Sequence, residues 1–317
     1  MAVDTTYTTG IYTKDNGNTM VVADGGAIEV QSGGTFRGPN PSGGTDYYVD
    51  GNTGSDSNDG LSWGNSMLTV ATAMAASHTN IAAGSTGWAA RNRIFIKGDD
   101  FVEDFVAVAQ KTDIIGVGSS DNYAYACIRG NHTPVNTAVG CRFYNVRFRP
   151  TASTDCWTLT SSTGGIEFHN CYYEAAYSTF TFPSAIDSTG CARLRVMNCQ
   201  FSGVFSSNYI DIGAGDATGI EIAYNEMTGG ADNGIMVTGT ATIGAGHMGK
   251  IHHNFVQCAD KVIDTQATSV FNVYDNVMIS GEALGASSYV IDLTFACRNA
   301  ITGNDVSVYV PSLTTVA

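Results

Sequence analysis

Seven segments of the chain, starting at residues 141, 166, 194, 220, 249, 271 and 299, read CRFYNVRF, IEFHNCYY, LRVMNCQF, IEIAYNEM, GKIHHNFV, FNVYDNVM and NAITGNDV. They are spaced 25, 28, 26, 29, 22 and 28 residues apart. The third position is apolar in every one: Phe143, Phe168, Val196, Ile222, Ile251, Val273 and Ile301. So is the eighth: Phe148, Tyr173, Phe201, Met227, Val256, Met278 and Val306. Each segment alternates at period two and then meets Asn, the pattern of a strand followed by a turn. A repeat of about 26 residues is too short for a helical crossover between parallel strands, but suits one winding of a parallel β-helix. Leucine-rich repeats have similar length, yet the L-x-x-L-x-L pattern is missing.

The Asn stands at the fifth position in the first three segments (Asn145, Asn170, Asn198) and at the sixth in the last four (Asn225, Asn254, Asn276, Asn304). Two readings stay open together: an amide ladder running from winding to winding, and single Asn residues taking left-handed turn conformations. The second position reads Arg142, Glu167, Arg195, Glu221, Lys250, Asn272 and Ala300. By parity it points outward, so the alternating signs predict a charge ladder that pins register.

Charged residues make up only 14% of the chain, and 15 basic against 29 acidic residues leave a net charge of −14. Hydrophobic content of 43% excludes wholesale disorder. With no basic patch, nucleic-acid binding is not expected, and no apolar run is long enough to span a membrane. The N-terminus MAVDTTYTTG lacks the features of a secretory signal. The eight cysteines form no C-x-x-C pair and are read as free thiols, mostly small core residues.

Upstream of the repeat, TDYYVDGNTGSDSNDGLSWGNSMLTVATAMAAS (45–77), RIFIKGDDFVEDF (93–105) and TDIIGVGSSDNYAYACIRG (112–130) resemble the entry windings of the pectate-lyase-like parallel β-helix superfamily. The resemblance implies an all-β, right-handed, single-stranded parallel β-helix of about ten coils, with a short helix capping the stack. Leu68, Val70, Ala71 and Met74 are expected on that helix's buried face. The first 44 residues contain Gly25–Gly26 and Gly33–Gly34, with Ile28 and Val30 alternating with Glu29 and Gln31. This segment is similar to N-termini of tailed-phage virion proteins. Residues 1–44 are accordingly expected to form an anchor, oligomerisation element and linker, and 45–317 the β-helix domain.

The calcium cluster of the family's lyases and the paired-Asp, Gly-His-Gly and Arg-x-Lys signatures of its hydrolases are not recognisable. GAGHMGK (244–250) does not follow the family's order, and ADNGI (231–235) has one Asp followed by Asn. Asp50, Asn52 and Asp56 alternate as in a calcium loop, although Leu61 occupies the place of a closing Glu; Asx-turns explain the loop equally well. Asp99, Asp100, Glu103 and Asp104 form the densest acidic group, read as a solvated loop. His252 and His253, as neighbours in a strand, are expected on opposite faces, and His169 beside Glu167 as a surface pair. No cofactor is therefore expected, with calcium at Asp50, Asn52 and Asp56 as the candidate exception.

These features lead to the expectation of a structural tailed-phage virion protein with no recognisable catalytic signature, a capsid decoration protein or short head fibre. It would assemble in the host cytoplasm, sit on the virion surface as a homotrimer, and dock on the major capsid protein or another virion protein through residues 1–44. A surface glycan is a further expected partner. The alternative is a carbohydrate-binding or polysaccharide-degrading tailspike- or lyase-like protein, marked by three or more carboxylates, or a carboxylate plus Arg, converging on one outer face.

Overall fold

The computed structural model describes residues 11–14, 19–22, 43–83, 90–98, 100–118, 126–136, 139–160, 164–175, 181–213, 218–237, 249–265, 271–280, 291–292, 300–302 and 305–308. The chain divides into two units, Met1–Pro39 and Asn40–Ala317. In the first, strands Ile11–Lys14 and Thr19–Val22 pair antiparallel; the Gly25–Gly34 element lies outside the described residues. In the second, Gly43 already belongs to the first strand of the large domain.

The second unit is an all-β parallel solenoid, with ten strands stacked on one face, nine on the second and six on the third. One winding runs Glu167–His169, Tyr172–Ala175, Phe182–Thr189, and the next runs Arg195–Met197, Gln200–Gly203, Phe205–Gly213. On the ten-stranded face Tyr47, Ile94, Ile114, Phe143, Phe168, Val196, Ile222, Ile251 and Val273 stand in one register column. All of them are buried. A second column, Phe148, Tyr173, Phe201, Met227, Val256 and Met278, lines the nine-stranded face. Trp157, Ile186, Ile210, Ile235 and Ile263 line the third. Like residues thus superpose, and rings stack along the axis: Phe143 on Phe168 at 5.5 Å, Tyr173 on Phe201 at 4.6 Å. Each large buried side chain contributes about 1.5–3 kcal/mol. All seven described cysteines are free and buried.

The windings enter and leave the ten-stranded face through single left-handed residues. Entry uses Lys111, Gly140, Gly165, Arg193 and Gly219, and exit uses Asn145, Asn170, Asn198, Tyr224, His253 and Asp275, all at positive φ. The move of Asn from fifth to sixth position now has a physical reason. Asn145, Asn170 and Asn198 are the left-handed corner residues themselves, with φ of 55°, 51° and 54°. Asn225, Asn254 and Asn276 come one residue later and turn inward into a buried ladder. Asn225 Nδ2 donates to Asn254 Oδ1 at 2.9 Å and Asn254 Nδ2 to Asn276 Oδ1 at 2.9 Å. Both readings of the Asn pattern hold: left-handed corners in the first half, where Asn170 Nδ2 also donates to Asn145 Oδ1 at 2.6 Å, and a buried ladder in the second.

Two details differ from expectation. Ten strands stack on only one face, and the six-stranded third face limits the number of complete three-sided windings. On that side the early windings are closed by irregular backbone, where Thr133 N–H donates to Phe105 O and Thr158 N–H to His132 O. The helix Val70–Ala83 is not simply a lid across the end. It flanks successive rungs, with Ser77 Oγ 2.7 Å from Thr112 Oγ1 and Asn92 Nδ2 donating to Ser77 O. Its buried face is Val70, Ala73, Met74, Ser77 and Ile81, while Ala71 is exposed and Leu68 precedes the helix, also exposed. The helix begins only after Thr69, which shifts the apolar stripe from the expected set.

Candidate functional site

Two outer faces handle charge in opposite ways. On the ten-stranded face the column Asp46, Arg93, Asp113, Arg142, Glu167, Arg195, Glu221, Lys250 alternates in sign over eight strands. The predicted ladder is thus present, and it extends three strands upstream of the recognised repeat. Arg93 pairs with Asp46 at 2.6 Å, Arg142 with Glu167 at 3.3 Å, and Arg195 reaches Glu167 and Glu221 at 3.8 and 3.5 Å. Burial would raise the Glu167 carboxyl, but the His169 hydrogen bond and the Arg142 and Arg195 charges outweigh it and lower the pKa.

The six-stranded face instead brings two like charges, Asp187 and Asp211, side by side. Inside run Ile186, Ile210, Ile235 and Ile263, with Ile291 next in register; the following residue on each strand is Asp187, Asp211, Met236, Asp264 and Asp292. Asp187 stands directly opposite Asp211, and on its other side opposite Thr158. Asp155 joins them from the preceding loop, where its Oδ1 accepts the Ser184 N–H at 2.8 Å. Burial, reinforced by the Asp155 and Asp211 charges, pushes the Asp187 carboxyl up to about 6. Burial, with Asp211 adding to it, also raises Asp155. Asp211 Oδ2 accepts from Asn208 Nδ2 at 3.0 Å, and Asn208 Oδ1 accepts from Asn233 Nδ2 at 3.1 Å. Adjacent like charges across a sheet are destabilising, so the Asp187–Asp211 contact is not explained by stability as the alternating column is; farther along, Asp264 is paired with Lys261 at 2.7 Å. A carboxyl titrating near 6 can donate as well as accept a proton near neutrality, the property of an acid–base group. The recurring Ile-Asp dipeptide at 186, 210, 263 and 291 was the available sequence signal.

The residues singled out in the sequence are engaged locally. Asp50 is buried, and its Oδ1 accepts the Asn52 and Thr53 N–H groups at 3.0 and 3.3 Å. Its Oδ2 accepts from Thr53 Oγ1 and pairs with Lys97 at 2.9 Å. Burial opposes ionisation there, but Lys97, Thr53 and the two amides prevail and hold the carboxyl well below the usual range. Asp56 instead accepts the Leu68 and Thr69 N–H groups and the Thr69 hydroxyl, tying the loop to the helix start. Asn52 presents its backbone to Asp50 by the Asx-turn route. Among the described residues no group of three or more His, Cys, Asp or Glu is placed to hold a metal ion.

The acidic group at 99–104 separates. Asp100 pairs with Arg129, Asp104 accepts the Asn131 N–H, and Glu103 accepts the Val70 and Ala71 N–H groups at the helix N-terminus; Asp99 lies outside the described residues. So does GAGHM of the 244–250 segment. His169 pairs with Glu167 at 2.8 Å and stacks on Tyr144. The opposite-face expectation for His252 and His253 fails: their Nδ1 atoms are 2.9 Å apart. His253 is a left-handed corner residue (φ 56°), which cancels strand parity.

Compared with protein-family models, curated proteins and solved structures, the chain finds no match in any of the three.

Proposed function

We propose that this chain is a structural protein of a tailed-phage particle, a capsid decoration protein or short head fibre. In this reading residues 1–44 dock on the major capsid protein or another virion protein, and a pectate-lyase-like, right-handed β-helix is displayed as a homotrimer. The right-handed sense follows the general crossover rule. Assembly occurs in the host cytoplasm and the final location is the virion surface. The observation that supports the reading is the alternating column over eight strands. Together with the buried Asn ladder it commits polar groups winding after winding to register, as a stiff display scaffold requires. Quantitative mass spectrometry of purified particles tests it. The chain should be present at a copy number matching capsid lattice sites, and its absence from particles would refute the proposal. Native mass measurement tests the trimer.

A second reading, a carbohydrate-binding or polysaccharide-degrading protein that engages a glycan, is favoured by the Asp155–Asp187–Asp211 column. Its test is turnover on a panel of polysaccharides between pH 4 and 8, with loss of turnover in Asp187→Asn. No product release on any substrate would count against the enzymatic form.

A further inference from the structure

At the exit corner of the ten-stranded face, left-handed backbone favours Asn and disfavours bulky side chains. Asn145, Asn170 and Asn198 obey that rule, but the next corner is Tyr224, at φ 59°. Its ring adds nothing to the core, being 50% exposed, and it stacks on His253 at 4.9 Å. Backbone strain kept where an easier residue would serve points to a use for the side chain.

The molecule itself indicates which use. Three other aromatic rings each carry a cation that is also bound by a carboxylate. Lys97 lies 5.2 Å over Trp63 and pairs with Asp50. Arg93 lies 5.4 Å over Phe95 and pairs with Asp46. Arg147 lies 5.6 Å over Tyr172 and pairs with Glu174. At Tyr224 the ring and the carboxylate are both present, because Tyr224, Asn225, Glu226, His253 and Phe255 line one open groove of about 400 Å³. Exposed Glu226 accepts from the Gln200 amide at 3.3 Å. Among the described residues no lysine or arginine stands over Tyr224 or pairs with Glu226.

We propose that this groove binds a lysine or arginine side chain presented by a basic segment of a partner protein. The cation sits over the Tyr224 ring within about 6 Å and pairs with Glu226, while its aliphatic stem lies along Phe255. The net charge of −14 steers such a segment toward this chain. The inference rests on Tyr224 and Glu226 and not on the virion reading, so either can fail alone.

The test is a proton NMR titration of the full chain at constant ionic strength, read at the His253 ring signal and assigned with His253→Asn. The probes are capped glycyl-arginyl-glycine, glycyl-lysyl-glycine, the uncharged glycyl-glutaminyl-glycine, and glucosamine. The two cationic peptides should give a saturable shift that the glutamine peptide does not. Tyr224→Asn and Glu226→Gln should each weaken them about three- to tenfold. Tyr224→Asn places at this corner the residue used at Asn198, so its fold is retained. The proposal is overturned by no saturable shift up to about 50 mM, by equal binding of the glutamine peptide, or by unchanged affinity in both variants. Tighter binding of glucosamine than of either peptide overturns the protein-segment assignment in favour of a glycan.

Discussion

Asn254→Ala should be among the most damaging single changes in the solenoid. Asn254 is buried, and its side chain is used on both sides. Its Oδ1 accepts the Asn225 backbone N–H at 3.1 Å and Asn225 Nδ2 at 2.9 Å. Its Nδ2 donates to Asn276 Oδ1 at 2.9 Å and to Ile222 O at 3.0 Å. Truncation strands the Asn225 N–H, at about 1–3 kcal/mol for a buried donor, and removes further bonds worth about 1 kcal/mol each. The expected loss is about 3–5 kcal/mol. Asn198→Ala is the control, because Asn198 is exposed and Ala there meets only the left-handed backbone penalty of about 1–2 kcal/mol. Urea denaturation compares the two, and amide exchange reads the Asn225 N–H directly, since repeat windings couple chiefly to their neighbours. Equal stability losses, or an Asn225 amide as protected as in the parent, would refute the ladder's energetic role.

Three further outcomes follow from the charge and thiol environments. Glu167 has a lowered folded pKa, so its contribution is present above the ordinary carboxylate value and lost as pH falls through the folded one. Glu167→Gln should therefore flatten the acid limb of the stability–pH curve below about pH 5. Asp187 has the opposite sign: with a folded pKa of about 6, its penalty is absent below the unfolded value and grows as pH rises toward 6. Because Asp187 is only half-buried and water screens its neighbours, Asp187→Asn should raise stability at pH 7.5 by about 1–2 kcal/mol, with little change at pH 3.5. Burial pushes the Cys127 and Cys258 thiols up to about 12, so both should react with a thiol reagent at pH 8 only as fast as the chain opens. Peptide mapping of the labelled protein checks this.

Much of the stack was legible because parallel windings superpose like on like. The apolar third and eighth positions and the outward second position repeat at one spacing, so core and charge ladder follow from parity. Parity failed where the backbone leaves the extended region. His253 and Tyr224 sit at left-handed corners, which brings His253 against His252 and leaves Tyr224 on the surface. The Asp column escaped notice for another reason. Its Ile-Asp pairs lie at 186, 210, 263 and 291, in the part of each winding between the repeated strand-and-Asn segments, where turns of unequal length blur the spacing. The upstream Asp46, Arg93 and Asp113 were missed because their windings lack the Asn that marks the corner.

From the sequence alone came the winding, the direction in which its alternating residues face, and the buried or paired fate of most of them, since these depend on periodicity along the chain. Only the tertiary structure could decide which residues from different windings become neighbours across a sheet. Register brings Asp187 opposite Asp211 and Arg195 between Glu167 and Glu221. Electrostatic cost or gain belongs to those separations through space, which turns of unequal length conceal in the linear order.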